Sequence, residues 1–191
     1  MKNPVNIKRP YQFRVVMLRH ITTVGIMILV ELLIFGPVFA MPHARYAAGV
    51  FFTLIYCFSL YGCANRLASN DMKPYTPLEP KPKFGLCWGL VISVLTLMVY
   101  VVYRINWMFF AVDGQMTNAV SVVINVFYFF WTAPYFGFFD AAGVVPMYAV
   151  IMMLALPPIM TFFGYYTGYK KIDIYDKLLV LTFEKSDKSK E

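Results

Sequence analysis

The chain is poor in charge and in every motif that carries catalysis. Only 14% of its 191 residues are charged, with 10 acids, 2 histidines and 3 cysteines. A soluble domain carries roughly a quarter charged residues, so this polypeptide has too little polar surface to stay dispersed in water. With no HExxH, no Gly-x-x-x-x-Gly-Lys, no Gly-x-Ser-x-Gly and no clustered Cys and His, zinc hydrolysis, P-loop phosphoryl transfer and serine acyl transfer lose their usual signatures. No metal ligand set and no cofactor motif is read. Cys57, Cys63 and Cys87 lack CxxC spacing and lie in or beside apolar runs, where they read as small buried hydrophobes.

What is present is apolar sequence: 60% hydrophobic residues and a mean hydropathy of +0.61. Because lipid offers backbone groups no hydrogen bonds, only helices and closed barrels cross it, and these unbroken runs lack a strand's alternation. The expected fold is all-α, a polytopic bundle of transmembrane helices. The lipid bilayer is its first partner.

Expected spans run over 21–40, 46–64, 84–103 and 143–169. A basic segment 1–20 precedes them, and a charged tail 170–191 follows the transmembrane domain 21–169. A proline-rich loop at 65–83, with Pro74, Pro77, Pro80 and Pro82, is predicted to be extended and polyproline-like. Its PxxP spacings suit a stiff connector or a polyproline ligand, and its lysines suit anionic lipid. In the tail, 172–183 is expected to form a short amphipathic element.

The stretch 118–139 admits two readings. It is either a fifth span or an interfacial or re-entrant helix at the outer side, where Asn118, Ser121, Asn125 and Thr132 form a polar stripe at helical spacing. With four spans, all but Arg45 and Arg104 of the 17 basic residues fall on one side, and positive charge marks the cytoplasmic face. Five spans would leave nine inside against eight outside, which erases the bias, so four are preferred, with both termini cytoplasmic. This edge distribution gives no basic patch for nucleic acid. Val38-Phe39-Ala40 resembles a signal-peptidase site, and a mature start at Met41 would remove the first span. The long charged lead-in and Glu31 argue against it.

Few residues offer chemistry. Glu31 falls near the middle of the first expected span, where an ionisable group costs several kcal/mol. It reads as a proton or cation site, a partner's anchor, or a protonated carboxyl bonded to a neighbouring helix. Pro157-Pro158 is expected to kink or break the last helix, as in the discontinuous helices of transporters. Gly164-x-x-x-Gly168 offers a close helix contact or a homodimer seam. His20 is placed at the inner edge and His43 at the outer, too far apart to share a metal. A Cys57–His43 peptidase pair fails because fourteen residues of helix separate them by about 21 Å.

At the end of the last span, Pro157-Pro158, Gly164-Tyr165-Tyr166-Thr167-Gly168-Tyr169-Lys170 and Asp176-Lys177-Leu178 resemble a group of small uncharacterised bacterial membrane proteins, common in Gram-positive organisms. Thr132-Ala133-Pro134-Tyr135-Phe136 adds to the likeness. The resemblance implies architecture and bacterial origin, with no activity or cofactor attached. The function expected is that of a non-enzymatic inner-membrane protein, an accessory or scaffold subunit beside a membrane-protein partner or a second copy. The alternative is a small transporter using Glu31 and the Pro157-Pro158 helix, and an enzyme acting on lipid or peptide ranks third.

Overall fold

A computed structural model describes residues 5–39, 41–73, 81–112, 115–116, 118–139 and 145–172. The proline-rich core of the connecting loop, the amphipathic tail, the turn at 140–142 and the Ala40 site lie outside them. The described chain is helical, with α1 (Val5–Phe39), α2 (Pro42–Asp71), α3 (Lys83–Phe110), α4 (Ala119–Thr132), a 3-10 segment (Ala133–Phe138) and α5 (Met147–Tyr169). Among the described residues, five helices, one of them α4 together with the 3-10 segment, are long and apolar enough to cross a membrane.

The helices outrun the expected spans. α1 begins well before Ile21, and α3 continues past Tyr103 to Phe110. Residues 65–71, expected in an extended loop, are instead the last two turns of α2. The charges of Arg66 and Asp71 misled that reading, because helix persists into the polar zone when its buried face still packs. Pro42 opens α2 at a position where its missing N–H costs nothing. α5 closes on a Schellman turn: Ile172 N–H donates to Thr167 O at 2.9 Å and Lys171 N–H to Gly168 O at 3.2 Å, with Lys171 at φ +52°.

Helix directions follow from paired residues. α1 and α2 are antiparallel, since Gln12 meets Asp71 and His20 meets Tyr56. α2 and α5 are parallel, since Gly164 lies on Tyr61 and Gly168 on Asn65. α3 is antiparallel to α5, with Ser93 on Leu154 and Trp88 on Tyr165. The start of α1 and the end of α5 therefore share one end of the bundle with Arg14, Arg66, Lys83, Lys170 and Lys171, whereas Arg45 and Arg104 belong to the opposite end.

α4 enters from that opposite end. Asn106 near the end of α3 donates to Ser121 O at 3.2 Å, and Trp131 Nε1 donates to Thr96 Oγ1 at 3.0 Å, so α4 descends along α3. At Thr132–Pro134 the chain turns back. Thr53 Oγ1 donates to Pro134 O at 2.8 Å, and Gly137 lies against Arg45 and Gly49, closer to the start of α2. Tyr148, in the first turn of α5, then donates to Phe138 O at 3.2 Å. The fourteen residues of α4 rise about 21 Å, short of the roughly 30 Å of hydrocarbon. Within the bundle this segment is a hairpin whose start and finish lie at one end.

A two-residue antiparallel pairing, Ala111 with Met116 and Val112 with Gln115, closes the α3–α4 connection. The core runs through Leu60, Tyr56, Ile92, Met153, Tyr165 and Tyr128, all at most 1% exposed. Leucines, valines and phenylalanines cover the outside of α1, α3 and α4, as a lipid-facing surface requires.

Candidate functional site

The double proline shows how the bundle spends its polar groups. Proline at 158 removes the N–H that would bond Leu154 O, four residues back. Ser93 Oγ, from α3, donates to that carbonyl at 2.7 Å. Thr161 Oγ1 donates to Pro157 O at 2.8 Å. α5 therefore runs unbroken from Met147 to Tyr169 with both prolines inside, and the expected break does not occur. Because a partner side chain replaces the lost donor, the helix has no need to unwind.

The small residues serve the same contacts. A Cβ on Gly89 would overlap the Pro158 backbone and the Thr161 hydroxyl, and one on Gly85 would overlap Thr161 and Tyr165. Gly164 lies on the Tyr61 backbone and Gly168 on Asn65 and Ala68. The Gly164-x-x-x-Gly168 pair is therefore filled by α2 of the same chain and is closed to a homodimer.

Two polar clusters join helices distant in sequence. At the basic end, Asp71 accepts from Gln12 Nε2 at 2.5 Å and from Tyr165 OH at 2.7 Å, tying α1, α2 and α5. Asp71 and Gln12 are both buried, at 4% and 5% exposed. A carboxylate gathering two neutral donors is well satisfied, and this one acts as a clasp.

The second cluster surrounds the hairpin tip. His20 Nδ1 shares a hydrogen bond of 2.9 Å with Tyr56 OH, and the His20 ring meets Trp131 edge-on at 4.9 Å. Tyr56 meets Tyr135 edge-on at 5.8 Å. His20 Nε2 and Tyr135 OH are buried without a hydrogen-bond partner. His20 is thus a core residue at 3% exposed, where the sequence placed it at the inner edge, while His43 is exposed. An imidazole beside a phenol can pass a proton, yet no group of three metal-ligating side chains exists among the described residues.

Glu31 is brought into neither cluster. The α1–α2 register, with Gln12 at Asp71 and His20 at Tyr56, carries Glu31 to the level of the first turns of α2. It lies about two turns before Phe39 rather than in the middle of the helix. It is 7% exposed, and its Oε1 is buried with no partner. The polar stripe divides: Asn118 is the N-cap of α4, its side chain accepting from Ser121 N–H at 2.8 Å, and is itself exposed. Ser121 and Thr132 are buried, while Asn125 is half-buried with Oδ1 unpartnered.

Sequence reasoning missed Gln12, Asp71, Tyr165, Thr53 and Ser93. Gln12 had a signal, since with Val16 and His20 it continues one face at four-residue spacing from the following apolar run. Asp71 had none, because its partners lie 59 and 94 residues away. No family model, curated protein or solved structure matches the chain.

Proposed function

We propose that this chain is a non-enzymatic accessory or scaffold subunit of a bacterial inner membrane, crossing it four times with both termini cytoplasmic. The observation that carries the reading is the fate of its intramembrane polar and helix-breaking residues. Pro157, Pro158, Gly164, Gly168 and Ser93 are spent on holding α5 against α2 and α3. A closely packed α2–α3–α5 core that presents an apolar exterior suits a protein whose product is a surface for neighbours. Read as returning to its own side, the 20-residue hairpin Ala119–Phe138 leaves an even number of crossings. The concentration of basic residues at one end then supports the cytoplasmic assignment of both termini. The likeness of the last span to small membrane proteins of Gram-positive bacteria supports the origin.

The test is native mass spectrometry of the full chain released from its own membranes in mild detergent. A constant-stoichiometry complex with another membrane protein is expected, and a chain found always alone contradicts the role.

Transport remains the second reading on one observation, the buried, unpartnered Oε1 of Glu31. Proteoliposomes of the purified chain would then take up a proton or cation, and Glu31→Gln would abolish uptake while leaving insertion intact. Uptake unchanged by that substitution removes Glu31 from any mechanism.

A further inference from the structure

Between α1 and α2, at their basic half, lies an open groove of about 710 Å³ whose walls differ in character. Leu18 and Phe58 supply apolar surface, and Arg19, Ser59, Asn65 and Arg66 supply polar groups, with no acidic side chain in the lining. Cys63, also in the lining, is within electrostatic reach of both arginines.

Arg19 is held by a closed hydrogen-bond circuit. Thr23 Oγ1 donates to Arg19 O at 2.8 Å, so its only proton is committed. Ser59 must therefore donate to Thr23 across their 2.7 Å contact, and the Ser59 oxygen accepts Arg19 Nε at 2.8 Å. Both serine and threonine are satisfied, the guanidinium is fixed through Nε, and its two Nη groups remain for a ligand. Arg19 and Arg66 are both exposed at the basic end of the bundle, where the helices leave the apolar zone. An arginine there lowers its cost by reaching a phosphate, to which its planar fork donates two parallel hydrogen bonds.

We propose that this groove binds the phosphate of an anionic phospholipid, with Arg19 and Arg66 on the headgroup and an acyl chain along Leu18 and Phe58. The proposal does not depend on the scaffold role, because it concerns a lipid ligand and is read without any partner protein.

The experiment uses the full chain, purified and delipidated, titrated with phosphatidylglycerol or phosphatidylcholine and read by native mass spectrometry. At least a fivefold preference for phosphatidylglycerol is expected in the wild type, falling to near parity in Arg19→Gln/Arg66→Gln. Arg45→Gln/Arg104→Gln, at the other end, should keep the full preference. An unchanged thermal midpoint certifies that each variant is folded, and Ser59→Ala, which frees Arg19 while keeping its charge, should lose part of the preference. Equal binding of the two lipids by the wild type overturns the proposal, as does a preference that survives the loss of both arginines. Inorganic phosphate is the third arm: binding of free phosphate with no preference between the lipids would assign the arginines to a soluble anion and contradict the lipid site.

Discussion

Ser93 carries one methylene and one hydroxyl, yet it satisfies the carbonyl that Pro158 leaves open. Ser93→Ala nearly keeps the volume and removes the donor, so Leu154 O becomes an unpaired, part-buried acceptor. A loss of about 1–3 kcal/mol is expected in reversible detergent unfolding. Glycine substitutions give the complementary test. Gly89→Ala drives a methyl into the Pro158 backbone, which cannot yield as a flexible side chain would, and should cost about 1–3 kcal/mol. Gly25→Ala meets nothing within 4 Å and should be neutral or stabilising by up to about 1 kcal/mol. Equal effects at Gly89 and Gly25 would contradict the close α3–α5 contact. The sequence displayed these residues without their use: Pro157-Pro158 read as a break because the compensating hydroxyl lies 61 residues upstream of Leu154, in another helix. Gly164 and Gly168 were legible as a close contact, but their spacing is the same whether the facing helix belongs to this chain or to a second copy.

At the scale of elements, the hairpin is held by side-chain hydrogen bonds with two helices. Its descending arm leans on α3 through Asn106 and Thr96, and its return is pinned to α2 by Thr53. Thr53→Val keeps the shape and removes the donor to Pro134 O. Hydrogen exchange in peptides covering 128–139 should accelerate in that variant, while peptides from α5 stay unchanged. Acceleration spread evenly over α5 would mean that the hairpin and core open together. Hydropathy alone placed a helix here and its polar positions hinted at a buried side, but the turn at Pro134 depends on Gly49 and Gly137 letting two backbones meet. The ends of α2 and α3 were misjudged for a related reason: charge and proline mark where lipid stops, whereas helix continues as long as one face remains buried.

For the whole molecule, the four long helices follow directly from solvent: apolar runs of this length in lipid must satisfy their own backbone groups, and the helix count was readable from that alone. The number of crossings was not, since it turns on whether 118–139 comes back, and the contacts that turn this segment toward the start of α2 come from Thr53, Gly49 and Arg45, far away in sequence. The central claim is therefore one of sidedness. In full-length protein with Cys57, Cys63 and Cys87 replaced by alanine, single cysteines are placed as Lys83→Cys, Asn118→Cys, Met147→Cys and Lys171→Cys. These are then labelled in intact cells with a membrane-impermeant maleimide. Asn118→Cys and Met147→Cys should both be modified, while Lys83→Cys and Lys171→Cys react only after permeabilisation. Modification of Asn118→Cys and Lys171→Cys with protection of Met147→Cys would mean that the hairpin traverses the membrane, and would contradict the account.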